Sequence, residues 1–262
     1  MKSLRVIAAA ALLLAPLAVQ AQPKGCVANT IAPSGTFGQA AIGPTVYALV
    51  NGQCWDLSSF LTDVTKGKVW SLDVNDFDAG FGLFSLSALM NSDPFISFGA
   101  TTTNSVAGPN TYAFLFSIPV VPGLYGNSTS TGGVSVTNGA RGTSTVTTSG
   151  VYPTYISGDG LVGFTPTNLG VDLGTASCIS SGVPFTVTTT CAQGTASNTY
   201  APTFYDGMQA LLTYTQDDIG SVASWSGAVT LNSAVVPEPA TFVLFGAGML
   251  VVGVMTARRR RS

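Results

Sequence analysis

From residue 68 to residue 231, apolar and polar side chains alternate in short runs separated by Gly, Pro, Asn and Asp. That two-residue period limits the fold more than any other feature, because a strand sends successive side chains to opposite faces. Candidate strands are 45–50, 68–74, 84–89, 93–98, 112–118, 133–137, 143–149, 161–164, 169–173, 185–190, 208–215 and 221–231. Asn51-Gly52 marks a turn after the first, and Asn138-Gly139-Ala140-Arg141-Gly142 marks a hairpin joining 133–137 to 143–149. Residues 22–44 read as an irregular lead-in, and 57–65 as a short helix or loop. The alternating body shows neither a long helical pattern nor the fixed repeat of a solenoid. The expected class is all-β, an antiparallel β-sandwich with jelly-roll-like connections.

The two ends follow different rules. Residues 1–21 read as a secretory signal peptide: Lys2 and Arg5 precede an Ala/Leu-rich core, and Val19 and Ala21 place small side chains before a cut at Gln22. At the other end, residues 236–262 comprise Pro237-Glu238-Pro239, an uncharged apolar run over 240–257, then Arg258, Arg259, Arg260 and Arg261. As a helix that run is about 27 Å long, enough to span a bilayer core as one transmembrane helix. The arginines hold its carboxyl end on the cytoplasmic side, and the prolines leave an exposed hinge before it. Between the ends lies one exported domain, residues 22–235.

Pro-Glu-Pro, a short membrane helix and a terminal arginine cluster together resemble the PEP-CTERM sorting signal of Gram-negative exported proteins. The resemblance implies that exosortase, a membrane protease-transpeptidase, recognises Pro237, Glu238 and Pro239 and removes the tail. Arg258 to Arg261 would be the stop-transfer charges, and the apolar run a temporary anchor in the inner membrane. Three segments of the body (93–98, the strand ending Ser117-Ile118-Pro119, and 223–227) resemble bodies common among such proteins in floc- and biofilm-forming bacteria. They imply a surface or matrix protein associated with exopolysaccharide.

Composition narrows the chemistry. The body carries Lys24, Lys66, Lys68 and Arg141 against eleven aspartates, and the sole glutamate, Glu238, lies in the tail. No basic surface exists to release counterions from nucleic acid, so no nucleic-acid partner is expected. With no histidine in the chain, a Ser-His-Asp or Cys-His arrangement and any His-ligated metal are excluded. A glycosidase would need two aspartates. The mean hydropathy of +0.40 partly reflects the two membrane-directed ends.

Cys26, Cys54, Cys178 and Cys191 all lie in the exported body, where disulfides form. Cys178 flanks a Gly-Pro segment with Cys191, which suggests one bridge and leaves Cys26 for Cys54; the other pairings stay open. Asp73, Asn75, Asp76 and Asp78 place oxygen ligands close in sequence, a pattern suited to structural Ca²⁺ or to an ordinary turn; no other cofactor is expected. Asp217-Asp218 reads as a polar turn. Trp70 and Trp225 sit in alternating runs and should be buried, whereas Tyr152, Tyr155, Tyr200 and Tyr205 belong to segments read as exposed loops.

The function that follows is a non-enzymatic exported protein of the cell surface or matrix, with exosortase and exopolysaccharide as partners. The alternatives are a carbohydrate-binding module and an Asp-dependent polysaccharide-degrading enzyme.

Overall fold

The computed structural model describes residues 43–148 and 177–234. The signal peptide, Cys26, Tyr152, Tyr155, the candidate strands 161–164 and 169–173, and the tail from 235 onward lie outside the described residues. Within them the chain forms β1 (Thr45–Val50), β2 (Gln53–Asp56), β3 (Leu61–Asp63), β4 (Val69–Asp78), β5 (Gly82–Asn91), β6 (Phe95–Asn104), β7 (Asn110–Thr137), β8 (Thr143–Thr148), β9 (Ser177–Ser181), β10 (Thr188–Gln216) and β11 (Val222–Ser233). One 3-10 turn, Ser58–Phe60, precedes β3, so the ambiguous segment 57–65 is part turn and part strand. Among the described residues no helix is long and apolar enough to cross a membrane.

All pairings are antiparallel and join one sheet in the order β3-β4-β5-β6-β11-β7-β10-β8-β9, with β2 and β1 attached to β7. Two strands organise it. β7 pairs β1 through residues 112–117 and β11 through 125–137, while β10 follows it along nearly its whole length. The ladder is irregular between Thr199 and Thr203 and again between Tyr205 and Gly207, opposite Pro119 to Asn127. Bulges there let both strands pass from one layer to a second that faces it. The layers are therefore continuous, and the chain is sandwich-like without two separate sheets.

The inner faces interdigitate. Phe84 on β5 meets Phe114 on β7 with ring centroids 5.5 Å apart, Phe98 on β6 stacks on Phe116 at 5.2 Å, and Trp225 on β11 lies 5.0 Å from Tyr214 on β10. None of these pairs shares a ladder, so each is a contact across layers. Thr102 on β6 adds a polar tie, 2.8 Å from the Tyr214 hydroxyl, and donates at 2.6 Å to Oε1 of Gln216. Trp225 is buried as expected; Trp70 is half-buried against the core edge. On the other face of β7 and β10, Ala113, Leu115 and Leu211 form a second small cluster with Tyr47, Leu49 and Cys54.

Three expectations change. Runs 112–118 and 133–137 are parts of one strand, as are the end of 185–190 and 208–215, because bulges absorb prolines that read as breaks. Asn51-Gly52 does close a hairpin, with φ of +48° and +82°. Asn138-Gly139 does not: β7 pairs β10 and β11, whereas β8 pairs β10 and β9. The buried Asn138 side chain instead joins loops. Its Nδ2 donates to the carbonyls of Gly142 and Val183 at 3.1 and 2.9 Å, and its Oδ1 accepts from the Val187 amide at 3.0 Å.

Candidate functional site

The polar half of the alternation lies on the outer face of β5, β6, β11, β7 and β10, and register arranges it in rungs across the strands. One rung runs Thr103, Val222, Thr137, Thr188; the next Thr101, Ser224, Ser135, Thr190; the third Gly99, Ser226, Gly133, Ala192. Ser87 on β5 extends the third rung, and Asp73 on β4 ends it. Neighbouring strands stand about 4.8 Å apart and successive outward residues about 6.8 Å, which sets a regular hydroxyl array. Cross-strand bonds hold its rotamers: Thr101 Oγ1 lies 3.2 Å from Ser224 Oγ, and Thr137 Oγ1 2.8 Å from Thr188 Oγ1.

The third rung forms the floor of a shallow trough. Two depressions of about 580 and 540 Å³ meet at Ser226 and Gly227, one reaching β10 and the other β5. Side chains are missing where they would block it: a Cβ at Gly99 would come 2.8 Å from Ser87 Oγ. No residue lining either depression is charged, and the Phe98 ring turns inward onto Phe116. The trough offers serine and threonine hydroxyls, which both donate and accept, the chemistry of a neutral polyol contact.

The four oxygen-bearing residues proposed for Ca²⁺ lie on the edge of β4. A bulge between Val74 and Phe77 contains Asp76 at φ +48°, whose amide donates to Ser85 Oγ at 3.0 Å. Asn75 Nδ2 donates to Asp73 at 3.0 Å, and Asp78 accepts from the Gly80 amide at 2.7 Å. Each thus has a local partner, and among the described residues no three acidic or cysteine side chains converge for a metal ion.

Asp217-Asp218 is a turn, but a buried one. Asp218, 1 % exposed, accepts from the amides of Gly139 and Arg141 and from Ser144 Oγ at 3.1 to 3.2 Å, pinning the β7–β8 loop. Cys178 is bonded to Cys191, joining edge strand β9 to β10. Cys54 is also in a disulfide; its expected partner, Cys26, lies outside the described residues.

The loop reading of Tyr200 and Tyr205 fails. Both belong to β10; Tyr205 is buried, and Tyr200 packs edge-on against it at 6.2 Å. Burial, reinforced by Tyr205, pushes the Tyr200 hydroxyl up to about 12. The bulges beside these residues reset which side chains face inward, and alternation alone does not show that. Sequence reasoning also missed the trough. Its only trace was glycines (Gly99, the Gly132-Gly133 pair and Gly227) inside otherwise alternating strands, positions that leave no side chain to fill the surface.

The described body ends at Ala234, whose amide donates to the Leu124 carbonyl at 2.9 Å. Pro237, Glu238, Pro239 and Arg258 to Arg261 follow it, outside the described residues.

Residues 235–261 match the family model of the PEP-CTERM protein-sorting motif. No curated protein matches the chain. Among solved structures, the enzymatically active domain of bacteriophage CBA120 tailspike protein 4 is similar at 15% identity and a TM-score of 0.24. That likeness covers 76% of this chain, which spans 21% of the tailspike chain. The structure of infectious bursal disease virus Gx strain is similar at 10% identity and a TM-score of 0.11, covering 80% of this chain and 70% of the viral one. Likenesses this low carry no argument about fold or function.

Proposed function

Starting from a chain that carries a PEP-CTERM sorting motif, we propose a non-enzymatic protein of the cell surface or extracellular matrix that contacts neutral exopolysaccharide through its hydroxyl-lined trough. The motif implies export across the inner membrane and recognition by exosortase. The observation that carries the reading is the position of that motif: it begins at residue 235, directly after a body whose last described residue is tied to Leu124. Exosortase would then act on a tail leaving a finished β-body, with the 240–257 run as transient anchor and Pro237-Glu238-Pro239 at the exposed hinge. Intact-mass analysis of the protein from its native cell surface tests this. A mature terminus near Val236 is expected, and a retained Arg258 to Arg261 tail overturns processing.

The carbohydrate-binding role rests on the trough: regular, uncharged and rich in hydroxyls, it suits a neutral chain better than a polyanion, which the aspartate-rich body repels. Turnover of a polysaccharide, lost when one aspartate is replaced with the fold intact, would overturn the non-enzymatic reading.

A further inference from the structure

Three large apolar side chains stand out on the surface where the layers join. Val121 is 57 % exposed, Leu124 43 % and Phe204 51 %. Leu124 and Phe204 are direct cross-strand partners in the β7–β10 ladder, so they project from the same face. Exposed Pro122 and Pro202 flank them. Prolines have no amide hydrogen, so burying this corner in an apolar medium strands fewer backbone donors than burying an ordinary strand end.

The corner is also where the chain leaves the body. Ala234 donates its amide to the carbonyl of Leu124, and Ser233 is in register with Tyr125. Only residues 235–239 separate Ala234 from the apolar run at 240. Fully extended, that connection reaches about 20 Å. An anchored tail therefore keeps Leu124 within about 20 Å of the start of the apolar run, close enough for the corner to reach the membrane interface.

We propose that Val121, Leu124 and Phe204 form a lipid-contact surface that seats the body on the outer interface of the membrane while the tail is attached. The proposal rests on the reading of residues 240–257 as an anchor. Its driving force is apolar. Lys66 lies at the β3–β4 turn and Arg141 in the β7–β8 loop. Lys68 is nearer: its carbonyl accepts from the Ser92 amide, and the Ser92 carbonyl accepts from the amide of Val121, while the carboxylate of Asp93 acts on the nearby Tyr125 hydroxyl. One cation and one carboxylate offset each other at the corner, so contact should not depend on anionic lipid. Removal of the tail leaves three side chains too few to hold the body, so release follows cleavage.

The test uses the full chain reconstituted in phosphatidylcholine vesicles that carry a diazirine on the acyl chain, with label mapped by peptide mass spectrometry. Label is expected at 120–125 and 203–205 as well as in 240–257. Replacing Leu124→Ser together with Phe204→Ser should cut corner label at least fivefold and leave tail label and melting temperature unchanged. Exchanging a third of the lipid for phosphatidylglycerol should not raise corner label. Label confined to 240–257 overturns the lipid contact while leaving the anchor standing. Absence of label from both overturns the anchor, and the proposal with it. Dimerisation of the detergent-solubilised full chain that is lost on replacing Leu124→Ser with Phe204→Ser, without lipid label at the corner, assigns the surface to self-association and also overturns it.

Discussion

Phe98 on β6 lies in register with Gly227 on β11, and its ring occupies the volume a side chain at Gly227 would fill: an added Cβ would stand 2.5 Å from Cζ. Phe98 cannot simply rotate away, because it stacks on Phe116 across the core at 5.2 Å and 15°. Gly227→Ala should therefore destabilise the body by about 1–3 kcal/mol, the usual effect of overpacking. A lowered urea midpoint with an unchanged slope would show it; an unchanged midpoint would mean the ring yields freely.

The same strand exposes its outer face to the trough. Gly133, the floor residue in register with Ser226, has no neighbour closer than 3.7 Å to an added Cβ, so a larger side chain there is tolerated. Gly133→Leu should leave the melting temperature nearly unchanged and weaken retention on neutral polysaccharide in affinity electrophoresis at least tenfold. Unchanged retention would remove the trough from the proposed function.

Cys178 and Cys191 close a loop with a sequence separation of 13, tying β9 to β10. Replacing both by Ala should lower stability by about 2–4 kcal/mol through the greater freedom of the unfolded chain. Guanidinium titration of the double variant checks this. Because Cys54 belongs to a different disulfide, a mild reductant should produce two separable losses.

Tyr214, fully buried, bonds Thr102 from the facing layer at 2.8 Å. Tyr214→Phe keeps the ring contacts with Tyr112 and Trp225 and removes that tie, so a loss of about 1 kcal/mol is expected in chemical denaturation.

Alkaline pH should unfold the protein. Burial raises the Tyr214 hydroxyl well above its ordinary value of 10.0 and Tyr200 to about 12, so the folded state holds protons that the unfolded state gives up first. Their contribution is whole below pH 10 and is lost as pH rises toward 12. Denaturant midpoints measured across that window should fall for the native chain and fall less for Tyr200→Phe.

Much of the body could be read directly from the chain. The two-residue period in 84–89 and 221–231 marked strands whose burial does alternate, with Phe84, Leu86, Ala88, Ala223 and Trp225 inward, since the pleat forces that alternation on any strand. Apolar Leu89 and Val222 nonetheless fall on the outer face. Asn51-Gly52 fixed its hairpin, because both residues accept the positive φ a two-residue turn requires. The sorting motif was legible for a related reason: it is a linear signal, complete in the order of its residues.

What the sequence could not settle was which strand lies beside which. Asn138-Gly139 carries the local mark of a hairpin, yet the Asn138 side chain ties the β7–β8 loop to the β9–β10 loop, and β7 and β8 go to different neighbours. The trough exists only because Gly99, Ser226 and Gly133, distant in sequence, fall on one rung. Tyr205 turned inward because bulges opposite Pro119 to Asn127 shifted the alternation. Local preference chooses the shape of a segment and the face it buries. Register between segments far apart is chosen by the packing of the whole core, which no short stretch contains.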